Sequence, residues 1–314
     1  MPSHHVGTTD GACRACAALA LTLASFAAES AVAQAPPRCA SAVVRYEPGE
    51  GAGASYQDPQ AALGAPTRFT GEGVYPSCVT PFNGAFMPSE LVSIGRGGEL
   101  VVSFDAPVVD DPRNPFGIDL IVYGNSFCID ASYPEGIVGG TFNDGGTVDV
   151  SADGIAWVTV PAIEADGGLP TLGFADVGPY DVVPGEVPTD PARPVDPTIA
   201  LADLDGLTWP ELLAVYDGTA GGTRIDLADA GIASIRFVRI RVAADAPAVP
   251  EIDAIVAARP GAGPADLNGD GAVNGDDLGI MLGAWGPCSG CAADLDRNGN
   301  VDGDDLGSLL GSWT

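Results

Sequence analysis

The stretch SIRFVRIRV, Ser234 to Val242, reads as a β-strand with two unlike faces. Val238, Ile240 and Val242 fall on one side and Arg239 and Arg241 on the other, because successive side chains of a strand point to opposite faces. The apolar side asks for a core. The arginine side is more readily a solvated or acid-paired face than a ligand-binding stripe. A second stretch, VDVSADGIAW from Val148 to Trp157, reads as a hairpin: Asp153-Gly154 supplies the turn, and Trp157 is expected to return into the core. Further β-rich runs lie at Ser41 to Tyr46, Glu99 to Phe104, Ile118 to Tyr123, Thr147 to Ser151, Trp157 to Val160 and Ile252 to Ala257, separated by Gly, Pro and Asp. No long run with helical period interrupts them. Many short strands with turn residues between them predict a sandwich or barrel, and residues 38–259 are enough for one such core.

Residues 161–223 exceed what a plain sandwich needs, and they are rich in Pro, Gly and Asp. Trp209 to Tyr216 reads as a short helix within them. An insertion of this length is either functional or merely tolerated, and tolerance is the plainer reading. Asp226, Asp229, Glu251 and Asp253 flank the last strands. They can cap turns or hold a structural cation, turn capping being the simpler role. Residues 260–264 form a Pro/Gly hinge.

Beyond the hinge the pattern changes. ADLNGDGAVNGDDLGIMLGAWG, Ala265 to Gly286, returns as ADLDRNGNVDGDDLGSLLGSWT, Ala293 to Thr314, at a constant offset of 28 residues. This is an internal repeat. Each copy opens with oxygen donors at positions 1, 3, 5, 7, 9 and 12 of a twelve-residue loop, the spacing by which a chain surrounds a calcium ion. In the first loop these are Asp266, Asn268, Asp270, Ala272 through its carbonyl, Asn274 and Asp277. In the second they are Asp294, Asp296, Asn298, Asn300 through its carbonyl, Asp302 and Asp305. Gly271 and Gly299 stand at position 6, where the loop turns sharply, and Val273 and Val301 at position 8. After each loop an apolar stripe runs at helical spacing: Leu278, Met281, Leu282, Trp285, and again Leu306, Leu309, Leu310, Trp313. Gly279, Gly283, Gly307 and Gly311 each cost a helix about 1 kcal/mol against alanine, which predicts that the two helices approach closely.

Composition removes whole classes of chemistry. The 13 Lys+Arg are all arginine, and the two histidines are His4 and His5. Residues 1–33 read as a secretory signal: Arg14 precedes an apolar core, Ala15 to Ala28, too short to span a bilayer, and Ala31-Val32-Ala33 is a small-x-small cleavage site. The chain after Ala33 therefore has no histidine and no lysine. Serine–histidine triads, cysteine–histidine dyads, histidine-ligated zinc and lysine Schiff bases are excluded, and a pair of carboxylates remains the one common hydrolytic device. A net charge of −29 argues against nucleic acid and anionic membranes as partners. No other stretch is apolar enough to span a membrane. Export favours disulfides. Cys288 and Cys291, between the repeats, are expected to pair with each other. Of Cys39, Cys78 and Cys128, at most one pair can form, and Cys78 with Cys128 is the preferred one.

Two families come into view. A twelve-residue loop closing on Asp, a helix after it but none before it, and a tandem copy resemble a type I dockerin over residues 265–314. The resemblance implies two bound calcium ions and a cohesin-like or other surface partner. It departs at loop positions 10 and 11, where Gly275-Asp276 and Gly303-Asp304 replace the frequent Ser-Thr pair. The hairpin at Val148 to Trp157 and the strand Ile235 to Ile240 resemble discoidin-like domains with the galactose-binding jelly roll. That implies a loop-borne glycan or surface-ligand site, and a third calcium in the sandwich. The expectation is a mainly β chain: a jelly-roll-like β-sandwich (38–259), then a small α-helical dockerin-like module of tandem calcium loops and helices. Its expected role is that of a secreted or cell-surface, non-catalytic ligand binder. The alternative is a dockerin-bearing glycoside hydrolase working through a carboxylate pair.

Overall fold

The computed structural model describes residues 36–71, 77–260, 263, 265–267, 273–288 and 291–313. The proposed signal segment, three of the hinge residues and part of the first proposed calcium loop lie outside them. The main body is built of β1 (Ala42–Glu47), β2 (Val92–Ser93), β3 (Glu99–Val109), β4 (Leu120–Gly124), β5 (Phe127–Asp130), β6 (Val138–Phe142), β7 (Gly145–Ser151), β8 (Val158–Asp166), β9 (Thr223–Ile225), β10 (Ser234–Arg241) and β11 (Glu251–Ala257). Five strands form one sheet in the order β1-β3-β10-β7-β8, four form a second in the order β2-β11-β4-β9, and β5 pairs with β6 alone. Every pairing among these strands is antiparallel.

The alternation in SIRFVRIRV is realised at the centre of the larger sheet. Val238 and Ile240 point inward with Leu100, Val102 and Phe104 of β3 and Val148 and Val150 of β7, against Leu120, Val122, Ile252 and Ile255 of the smaller sheet. One apolar core thus lies between two layers. A register shift between Ile252 and Ala254 places Ile252 and Ile255, three apart, on the same inner face. An extra residue in a strand reverses the facing of the residues beyond it. The displaced residue is Asp253, buried, its two oxygens taken by the Thr67 N–H at 2.8 Å and the Thr67 hydroxyl at 3.0 Å.

The smaller sheet is covered on both faces. Ile121, Tyr123, Ala254 and Val256 face away from the main core and pack with Ala192 and Ala220 of the long β8–β9 connection. That connection holds α1 (Trp209–Tyr216), the helix read from the sequence, and a core of its own in which Leu169, Leu172, Leu204, Trp209, Leu212 and Tyr216 pack with Val138 of β6. Its buried polar tips are bonded: Trp209 Nε1 donates to the Val177 carbonyl at 3.0 Å and the Tyr216 hydroxyl to the Pro170 carbonyl at 2.6 Å. The insertion is therefore a packed third layer, which explains why β4 is apolar at every position that alternation would make polar.

Two expectations are corrected here. Trp157 does not enter the core. It is half-buried on the outer face, with the Arg239 guanidinium 4.4 Å from its ring centroid. The arginine stripe is acid-paired: Arg239 and Arg241 converge on the buried Asp149 at 2.9 and 2.6 Å. Trp157 closes over that cluster, a cation–π contact being a better use of its ring than an inner face filled by valines. The preferred Cys78–Cys128 bridge is also absent. Both are buried thiols, and Cys78 Sγ donates to the Val183 carbonyl at 3.0 Å. Burial pushes the Cys128 thiol up to about 12, leaving it the character of a small apolar side chain.

Candidate metal sites and ligand cleft

The repeats fold as loop followed by helix, with α2 at Gly275–Gly283 and α3 at Gly303–Gly311. The second loop is described throughout. Gly299, at position 6, has φ +94°, the left-handed region that its placement predicts. Asp302 caps α3 by accepting from the Asp304 N–H at 2.9 Å, and Asp305 Oδ2 accepts from the Asp302 N–H at 2.9 Å. Loop positions 9 and 12 are thus also a capping box. Asp305 is fully buried and its Oδ1 accepts from Leu295 N–H at 2.7 Å. The backbone N–H of Asp302 and then those of Asp296 and Leu295 hold its carboxyl below the usual range. An anion at the helix N-terminus is favoured in the same sense. Asp294 accepts from the N–H groups of Asn298 and Gly299 at 3.0 and 2.8 Å.

The outcome is a cluster. Asp294, Asp296 and Asp305, positions 1, 3 and 12, bring carboxylate oxygens within 4.8 Å of one another. That spacing lets a single ion touch all three, and an all-oxygen donor set suits a hard cation. Asn298 stands beside them, its amide donating to Asp296 Oδ2 at 2.9 Å. The first loop repeats the plan where it is described. Asp277 Oδ1 accepts from Leu267 N–H at 2.7 Å, and its Oδ2 from Asn274 N–H at 2.8 Å. Asp266 and Asp277 are buried, as are their counterparts. Asn268, Asp270 and Ala272 lie outside the described residues.

Between the repeats Cys288 and Cys291 are disulfide-bonded, with Cα atoms 5.7 Å apart. β12 (Gly286–Pro287) pairs with β13 (Asn300–Val301), joining the end of the first copy to the loop of the second. The module's core is small: Ala265, Val273, Met281, Ala293, Val301 and Leu309. The helix glycines do not mark a close approach, since a Cβ on Gly279, Gly283, Gly307 or Gly311 would meet nothing within 4 Å. The apolar stripes also divide. Met281 and Leu309 are buried, whereas Leu282, Trp285, Leu310 and Trp313 are 46–53% exposed.

In the main body, the four acids flanking the last strands are not brought together. Asp253 is bonded to Thr67 and Glu251 accepts from the Ser93 hydroxyl at 2.9 Å. Asp226 joins Asp110 and Asp119 instead, a cluster that sequence spacing could not show. Burial pushes the carboxyls of Asp166 and Asp253 up to about 8 and about 7. Asp166 Oδ1 accepts from Ser126 N–H at 3.0 Å, and its Oδ2 is buried without a partner. The sequence reading also missed a cleft of about 770 Å³ along β8 and β9, whose polar lining includes Thr147, Thr159, Glu164, Thr223 and Asp226. Its walls come from the insertion as well as the sheets, and only the folded chain assembles them. Among the described residues no helix is long and apolar enough to cross a membrane. Compared with known proteins, the chain matches no family model and no curated relative.

Proposed function

We propose that the chain is an exported, non-catalytic binding protein: a jelly-roll-like sandwich that takes an extracellular ligand of glycan type, carried by a dockerin-like module that binds two calcium ions. The observation that carries this reading is the convergence of Asp294, Asp296 and Asp305 within 4.8 Å, at loop positions 1, 3 and 12. The exposed pairs Leu282/Trp285 and Leu310/Trp313, equivalent in the two copies, support attachment to a cohesin-like or other surface protein, because aromatic anchors open to solvent are what an interface uses. The cleft along β8 and β9 is the candidate ligand site, its threonine hydroxyls and carboxylates suiting a polyhydroxylated ligand. The two carboxyls that burial holds most protonated, Asp166 and Asp253, are 1% and 2% exposed, which favours binding over acid catalysis by them. The test is a glycan array probed with the calcium-loaded chain, beside a reducing-sugar assay on mixed polysaccharides. Binding that weakens at least tenfold in Thr159→Ala/Thr223→Ala supports the reading. Sugar release abolished by Glu164→Gln replaces it with the hydrolase.

A further inference from the structure

The two repeats differ in what precedes the loop, and in the second copy the disulfide is tied to the loop itself. Cys288 N–H donates to the carbonyl of Gly299, position 6, at 2.9 Å. The Cys291 carbonyl accepts from the N–H of Asp294, position 1, at 3.2 Å. Across the same stretch the Asp294 carboxylate accepts from Asn298 N–H and Gly299 N–H at 3.0 and 2.8 Å. The turn from Asp294 to Gly299 is thus closed on one side by its own aspartate and on the other by the bridged cysteines. Cys288 and Cys291 also pack against the core that holds Val301, position 8.

The clasp sets a backbone donor as well. Gly286 pairs with Val301 and Pro287 with Asn300, and Cys288 bonds to Gly299. Hydrogen-bonded and non-bonded positions alternate along an antiparallel pair, so Asn300 turns its N–H and carbonyl away from β12. Its N–H goes instead to Asn298 Oδ1, inside the loop, at 2.9 Å. Its carbonyl, position 7, is the main-chain oxygen that a calcium loop supplies. Proline opposite Asn300 fits, because the ladder asks for no N–H there.

The first copy cannot repeat the clasp. At the same offset, Pro260 and Gly263 stand where Cys288 and Cys291 stand in the second. The contact to position 1 survives, Asp266 N–H donating to the Gly263 carbonyl at 2.9 Å. A proline has no N–H to give to position 6, and a glycine has no thiol. A loop already held in its binding shape needs less ordering when the ion arrives.

Resting on the reading of the repeats as two calcium loops, we propose that the Cys288–Cys291 bridge is a positioning element of the second one: that loop is the tighter of the two sites, and reduction of the bridge weakens it. The reductant is an external dithiol. The bond between the two cysteine sulfurs breaks, two electrons and two protons pass to them from the dithiol, and the dithiol closes as a disulfide. By linkage, calcium opposes this reduction by the same factor.

The experiment titrates calcium calorimetrically into the full chain after Ala33, oxidised, reduced by excess dithiothreitol, and as Cys288→Ser/Cys291→Ser. Reduction weakens the tighter ion of the repeats at least about tenfold and the other less than about threefold, whereas a bridge that only steadied the module would weaken both alike. The serine variant reproduces the reduced chain without a reductant, and reoxidation restores the tight site. Asp305→Ala removes the reduction-sensitive ion and leaves the other. The second readout is the reduction potential of the bridge, which a tenfold coupling lowers by about 30 mV in saturating calcium. In Asp305→Ala calcium no longer moves that potential. Affinities unchanged by reduction, or both ions weakened equally, overturn the proposal while two calcium loops stand. An oxidised chain whose repeats take up no calcium overturns the reading of the repeats, and the proposal with it.

Discussion

The sandwich and the tandem repeats are held by opposite means. Between the two sheets, valines, leucines and isoleucines from both layers close one continuous core, and an insertion adds a second. Among the described residues the repeats bury six apolar side chains, three of them Ala or Met, and beside them four aspartates. A core that small does not carry a segment of this length by itself, and the clustered carboxylates of Asp294, Asp296 and Asp305 repel one another until a cation arrives. The sandwich should therefore answer to apolar volume, and the repeats to calcium. At 100 times the dissociation constant each ion adds about 2.7 kcal/mol, so two ions match the stability of a small domain.

The sharpest break between the regions comes from Asp277→Ala/Asp305→Ala. It should abolish the helical transition of the repeats outright, read by far-ultraviolet circular dichroism, and leave the β-rich transition within about 0.5 kcal/mol. Next in size, Phe104→Ala opens the main core and should destabilise the sandwich by about 3–5 kcal/mol in urea titration, without altering the number of ions bound by the repeats.

A third contrast is in pH. Asp166 and Asp253 titrate near 3.8 when unfolded but near 8 and 7 when folded, because burial disfavours their charged forms. Between those values the native state holds more protons than the unfolded one, so stability falls as pH rises. Both groups act between pH 3.8 and about 7, and Asp166 alone from there to about 8, each contributing a slope of up to about 1.4 kcal/mol per pH unit. Asp166→Asn should flatten this slope for the sandwich. In the repeats Asp305 runs the other way: its carboxyl is held low, so what it contributes is present above its unfolded pKa and lost as pH falls through the folded one. The smallest effect is at Trp157. Trp157→Ala should cost about 0.5–1 kcal/mol by removing its contact with Arg239, whereas a core tryptophan would cost several times more.

The legibility of the chain tracks the range of the forces involved. All seven strands read from β-rich runs between turn residues are present, because such runs are a local signal. β2 and β9, of two and three residues, and β6, with two central glycines, carry too little pattern to read. The loop motif announced Asp294, Asp296 and Asp305, since one local loop gathers them. The Asp110–Asp119–Asp226 cluster was illegible because strand register, not spacing, assembles it. Trp157 misled for a related reason: its partner Arg239 lies across the sheet on another strand.

One measurement tests the contrast most directly. The chain after Ala33 is melted in a calorimeter in saturating calcium and again in excess chelator, with circular dichroism alongside. Two transitions are expected in calcium. The chelator should abolish the helical one and leave the β-rich one within about 2 °C. A helical transition that persists unchanged in chelator would contradict the account.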